Sequence, residues 1–190
     1  CWAELLESHA ITAAQMLVTL DDLEDRRRYL NAAATLDRLI GLGVVPVINE
    51  NDSVATEEIR FGDNDRLAAR IGQAASAERV ILLSDVDGLF TADPTRDPDA
   101  RRIETVKRID QRIVGMAQEG TSSGMGSGGM GSKIEAARIA ASAGADLIIV
   151  SGKHDHPLDR LDAGDCGTLF MAKGNARARK AWLAGRLTVR

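Results

Sequence analysis

The sequence predicts an α/β layered fold with a mainly parallel sheet. Helix-like and strand-like patterns alternate along the chain, the signature of βαβ units. The runs "VVPVIN" and "RVILLS" are short and almost continuously apolar, as strands of a parallel sheet are. Aromatic residues make up only 3% of the chain and alanine is abundant, which suits helices packed closely on a sheet better than a stacking surface for bases.

The elements follow in order. "WAELLESHA" reads as a helix and "AQMLVTL" as a short strand. "DDLEDRRRYLNAAATLDRLIGLG" is a long helix, with Asp21 and Glu24 as a capping box at its start and Gly41 or Gly43 as its stop. "VVPVIN" is the second strand, and "EEIRFG" a short edge segment. Arg66 to Ala75 is helical, with Leu67 and Ile71 on one side. Arg79 to Ser84 is a strand expected to be buried on both faces, and "DVDGLFTADP" is a turn-rich loop. "RIETVKRI" is a weak strand and "DQRIVGMAQEG" a short helix. "SKIEAARIAASAG" is a helix whose Ser132 and Glu135 fit the S-x-x-E cap, and the strand "ADLIIVSG" follows at once. "CGTLFMA" is a last strand.

Bulk properties narrow the function. The chain has 190 residues, 44% hydrophobic and 27% charged, enough for one domain with a real core. A net charge of −4 argues against a general nucleic-acid binder. No apolar run approaches the roughly 20 residues of a membrane span, and the acidic start carries no secretory signal. Cys1 and Cys166 lack metal-ligand spacing and read as free thiols of a cytoplasmic protein. The chain begins without Met inside a helical pattern and stops at "RLTVR", which reads like the start of a strand. We therefore expect a piece of a longer protein.

Two stretches carry chemistry. In "VVPVINENDSVATEEIRFGDNDRLAARIG" an apolar strand opens into a run of carboxylates and amides, at the strand end where parallel sheets bind ligands. Asp52, Asn51, Asp63 and Asn64 there could equally cap local turns and the following helix. In "GTSSGMGSGGMGSK" a glycine-rich loop runs into a helix with Lys133 in its first turn. Ordering so many glycines costs entropy, while their backbones can approach a phosphate and aim N–H groups at it. The helix start adds partial positive charge, so a phosphate cradle is favoured over a surface linker. It is not a Walker A loop, since the lysine follows Ser132 and precedes Ile134. Gly124, Gly126 and Gly129 match G-x-G-x-x-G, but a helix precedes them instead of a strand. "DVDG" fails as a calcium loop because Leu89 stands at the next ligand position. His154 and His156 form an H-x-H pair in a turn before Pro157, which reads as solvated loop.

Together "VVPVINENDSVATEEIRFGDND", "LLSDVDGLFTADP" and "GMGSGGMGSKIEAARIA" resemble glutamate 5-kinase in order and spacing, echoed by "AQMLVTL", "EDRRRYLNA" and "GTLF". The likeness runs from about Trp2 to Trp182. It implies the three-layer αβα sandwich of the amino-acid kinase superfamily, present here in part. Residues 1–184 would be a partial kinase domain, lacking the N-terminal lysine loop of the family. Residues 185–190 would start a linker or a C-terminal domain. The implied reaction is phosphoryl transfer from ATP, with Mg²⁺, to the side-chain carboxylate of L-glutamate, the first step towards proline. By the same resemblance Lys133 and Asp65 are catalytic, and Asp52 and Asn64 bind glutamate. Ser84, Asp85, Ser127, Gly128, Gly129, Met130, Gly131, Ser132 and Lys133 hold the nucleotide. No protein side chain is assigned to a metal. A homo-oligomer inhibited by proline is also implied. The alternatives are another amino-acid kinase, acting on aspartate, acetylglutamate or a nucleotide monophosphate, and a non-catalytic amino-acid-binding module.

Overall fold

The computed structural model describes residues 2–51, 53, 63–119, 129–164 and 166–172. Asp52, Ser127, Gly128 and the "EEIRFG" segment lie outside the described residues. The chain divides into two compact units, Cys1–Arg60 and Phe61–Arg190.

The first unit is a βαβ unit with additional helices. It runs α1 (Trp2–Glu7), β1 (Ala13–Val18), α2 (Leu20–Glu24), α3 (Arg26–Gly41) and β2 (Val45–Glu50). β1 and β2 pair in parallel, Ala13 opposite Val45 and Val18 opposite Glu50. A parallel pair needs a crossover, and α2 with α3 supplies it. Tyr29, Ala32 and Leu36 recur at helical spacing on α3 and are buried, as are Val18 and Leu23. The expected single helix from Asp21 is two. Thr19 caps α2: its side chain accepts from the Asp22 N–H at 3.1 Å, and Asp22 Oδ2 accepts from the Thr19 N–H at 2.8 Å. The capping box is thus Thr19 with Asp22, not Asp21 with Glu24. Asp25 is extended, with φ −69° and ψ 125°, and its carboxylate caps α3 by accepting from the Arg28 N–H. A side chain that satisfies the open donors of the next helix can break a helical pattern at little cost.

The second unit carries α4 (Asp63–Ala74), β3 (Arg79–Ser84), β4 (Thr105–Val106), α5 (Gln111–Glu119), α6 (Met130–Ala143), β5 (Asp146–Ser151), α7 (Pro157–Asp162) and β6 (Thr168–Phe170). The sheet order is β3-β5-β6-β4. β3 pairs with β5 and β4 with β6 in parallel, and β5 pairs with β6 antiparallel. The predicted mainly parallel α/β class therefore holds. Two expectations are corrected. β3 is buried on one face only: Val80 and Leu82 pack against α4 and α6, while Ile81 and Leu83, on the opposite face, are exposed. The "RIETVKRI" strand shrinks to Thr105–Val106, with an isolated bridge between Phe90 and Arg102. Helix α7 follows the expected turn at His154 and His156 and is an element the sequence reading did not include. Pro157 starts it, a position where the missing N–H costs nothing, and exposed His156 precedes it.

The core of this unit lies between the sheet and helices α4, α5 and α6. Ala136, Ala137 and Ala140 are fully buried, and their small side chains let α6 pack against both α4 and the sheet. Gly144, in the left-handed region at φ 82°, ends α6 by donating to the carbonyls of Ala140 and Ala141, and β5 begins two residues later.

Candidate functional site

Topology gathers the second unit's polar residues at one end. α4 runs back to the start of β3, and α6 to the start of β5. Each helix therefore begins at the carboxyl edge of the strand that follows it. Ligands bind at that edge in open α/β sheets.

At that edge Lys133 reaches across from α6 to α4, its Nζ 3.0 Å from Asp65 Oδ2. The two side chains are only 10% and 17% exposed, so the pair is largely shielded from water. A charged pair so placed is weak evidence for stability, since an apolar pair would fill the space as well. Ser132 joins the same carboxylate, its Oγ 2.7 Å from Asp65 Oδ2 and 2.9 Å from the Gly129 carbonyl. Asn64, the residue before Asp65 in the first turn of α4, is exposed.

The start of α6 corrects the capping expectation. The helix begins at Met130, with Gly129 as its N-cap and no side-chain cap. Ser132 is already inside the first turn, so its hydroxyl goes to Asp65 instead of capping. An N-terminus without a side-chain cap leaves N–H groups to be satisfied by something else. A Cβ built on Gly131 would meet only open space, so the first turn is accessible there. Open donors, the helix dipole and an ammonium within one turn make a site for an anion.

Ser84 ends β3 opposite Ser151 of β5, and Ser84 accepts from the Gly152 N–H at 2.8 Å. The Ser84 hydroxyl lies 3.1 Å from Asp85 Oδ1, and Asp85 is exposed. Asp87 Oδ1 accepts from the Ser151 N–H at 3.4 Å. The loop after β3 is held from below by Thr168, which is completely buried. Its Oγ1 accepts from the Leu89 N–H at 2.8 Å and donates to the Ile103 carbonyl at 2.6 Å. Gly88, at φ 122°, passes directly over that hydroxyl. Arg102 adds a bond to the Gly167 carbonyl.

Among the predicted site residues, the structure brings Asp65, Ser132 and Lys133 into contact. Ser84, Asp85, Gly129, Met130, Gly131 and Asn64 lie at the same end of this unit. Asp52, Ser127 and Gly128 lie outside the described residues. Sequence reasoning missed Thr168 and the Ser151–Asp87 link. Nothing in "CGTLF" marks a threonine as a clasp for a loop 79 residues earlier in the chain. Among the described residues, no group of three or more His, Cys, Asp or Glu could hold a metal ion, and no helix is long and apolar enough to cross a membrane.

A separate cleft of about 540 Å³ lies in the first unit, lined by Trp2, Ala3, Ala13, Gln15, Val47, Ile48 and Asn49.

Comparison with known proteins gives the site its setting. Residues 1–151 match the profile of the amino acid kinase family. Glutamate 5-kinase of Zymomonas mobilis is 63% identical over 188 residues, covering 99% of this chain and 47% of that protein. The glutamate 5-kinase of Sphingopyxis alaskensis is 66% identical over 187 residues, covering 98% of this chain and 50% of that protein. The chain thus spans about half the length of these relatives. In structure it is similar to the product complex of isopentenyl phosphate kinase from T. acidophilum, with a TM-score of 0.56 and 20% identity over 88% of this chain and 63% of that one.

Proposed function

Since this chain belongs to the amino acid kinase family, we propose that it forms part of an ATP-dependent kinase that phosphorylates the side-chain carboxylate of L-glutamate. The observation that carries this reading is Lys133, fixed by Asp65 beside the α6 N-terminus without a side-chain cap. The high identity to glutamate 5-kinases supports glutamate as the acceptor.

The chemistry asks little of acid–base groups. A glutamate carboxylate is ionised at neutral pH and needs no base to become a nucleophile. One of its oxygens attacks the γ-phosphorus, a new P–O bond forms, and the bond to ADP breaks, its electrons leaving with ADP. The obstacle is repulsion between two anions. Positioned cations and N–H groups must neutralise it. Lys133 would supply a full charge at the transferring phosphoryl group, and the first turn of α6, with Gly129, Met130 and Gly131, would supply backbone donors. Asp65 holds the ammonium in place. Mg²⁺ would ride on the nucleotide's phosphates, completed by water and one or two carboxylates, and would neutralise charge there.

Ser84 and Asp85, at the end of β3, would contact the nucleotide together with Ser127 and Gly128. Asp52 and Asn64 would receive the α-ammonium of glutamate, which requires acceptors. Residues 1–184 as one kinase domain, a homo-oligomeric state, inhibition by proline and a cytoplasmic setting belong to the same proposal and rest on the family likeness. A second reading, a module that only binds a small polar ligand, is favoured by the cleft containing Gln15 and Asn49. The test is hydroxylamine trapping. Incubation of the full-length gene product with ATP and glutamate gives a glutamyl hydroxamate if the acyl phosphate forms. A purely binding module gives none.

A further inference from the structure

We propose that Ser132 is a positioning residue for Asp65 and not a ligand of the nucleotide's phosphates; this rests on the kinase reading above. A serine in a glycine-rich helix entry is an obvious phosphate contact, and its sequence position alone suggests that role. The geometry points elsewhere. The backbone N–H of Ser132 donates to the Gly129 carbonyl at 3.1 Å. A hydroxyl has one proton, and among the described residues Ser132 Oγ meets two acceptors, Asp65 Oδ2 at 2.7 Å and the Gly129 carbonyl at 2.9 Å. With both donors of this residue committed, what remains for a phosphate oxygen is lone pairs, which repel it.

The same hydroxyl has a task on the other side. Asp65 Oδ2 accepts from both Ser132 Oγ and Lys133 Nζ. Lys133 has two masters, because the ammonium that holds Asp65 must also meet charge developing on the phosphoryl group. A lysine reaches its partner through four rotatable bonds, whereas serine has only one, and its Cα is fixed in the first turn of α6. Ser132 therefore keeps the carboxylate oriented and hydrogen-bonded while Lys133 engages the substrate. Its effect on catalysis passes through Asp65 and the aim of Lys133.

The test uses the full-length gene product in four forms: wild type, Ser132→Ala, Asp65→Asn and the double variant. Ser132→Ala should lower kcat about ten- to a hundredfold, the scale of one hydrogen bond to a charged group. The Kd of a non-hydrolysable ATP analogue, measured by calorimetry, should change less than about twofold, since no phosphate contact is lost. Ser132→Thr should recover most of the lost kcat, and adding Ser132→Ala to Asp65→Asn should cost little more than Asp65→Asn alone. If Ser132→Ala does not fold, Ser132→Cys, near in size and a weak donor, makes the same comparisons. Weakened binding of the analogue with unchanged kcat would overturn the assignment, as would effects of the two substitutions that simply multiply. Urea unfolding of the four forms gives a readout free of activity: coupling between the two positions is expected, and full additivity contradicts the contact. A wild type that turns over no carboxylate acceptor would sink the kinase reading alone and leave that coupling test standing.

Discussion

Lys133 Nζ stands 3.0 Å from Asp65 Oδ2, joining the first turns of two helices that start at the same edge of a sheet. Removing the ammonium has two consequences. The carboxylate, 17% exposed, loses its cation but keeps the Ser132 hydroxyl. Lys133→Met should therefore cost about 2 kcal/mol of stability, less than for a fully buried pair. Turnover should fall at least about a hundredfold, as for loss of one preorganised charge at a transition state. Urea unfolding and steady-state kinetics on the same preparation check both.

Thr168 fastens the loop after β3 through two hydrogen bonds in a fully buried site. Thr168→Val keeps the shape and leaves the Leu89 N–H and the Ile103 carbonyl short of a partner. The expected loss is about 2–4 kcal/mol. Thr168→Ser, which retains the hydroxyl, should lose about 1 kcal/mol for the missing methyl. Equal losses for both variants in urea unfolding would contradict the clasp.

Gly88 makes a second demand on that loop. At φ 122° a side chain is strained, and an added Cβ would collide with Thr168 Oγ1 and come within 3.1 Å of the Thr168 nitrogen. Gly88→Ala should destabilise by more than about 2 kcal/mol. It should also weaken nucleotide affinity, because Asp85 is in the same loop. Thermal unfolding with and without an ATP analogue measures both effects.

The first unit supplies a pH prediction. The Thr19 backbone N–H, bonded to Asp22, holds that carboxyl below the ordinary aspartate value. The Thr19 hydroxyl and Arg28 add to the effect, and burial partly offsets it. The stabilisation is complete above the unfolded carboxyl value, near about pH 4. It is lost as pH falls through the lower folded value. Asp22→Asn should flatten that part of the acid limb of a stability–pH profile. An unchanged acid limb would show that the capping box contributes no pH-dependent stability.

Much of the fold was legible because its signals are local. "ADLIIVSG" and "SKIEAARIAASAG" declare a strand and a helix by period and composition, and the structure has them within two residues. The one-sided burial of β3 was not legible, since an apolar run does not show whether helices cover one face of a strand or both. The helix break at Asp25 was missed because aspartate suits a cap and an exposed helix position alike. At the site, Lys133 and Asp65 were named by family resemblance, but their contact crosses 68 positions of sequence and only packing shows it. Ser132 was misread for the same reason. The S-x-x-E pattern is a local signal, and the Asp65 carboxylate that claims the hydroxyl is not local.

The most direct test of the central claim is ADP release by the full-length gene product, wild type and Lys133→Met, with L-glutamate, L-aspartate and N-acetyl-L-glutamate compared side by side. Rapid turnover of glutamate alone, at least about a hundredfold slower in the variant, is the predicted result. Undiminished turnover without the Lys133 ammonium, or preference for another acceptor, would contradict it.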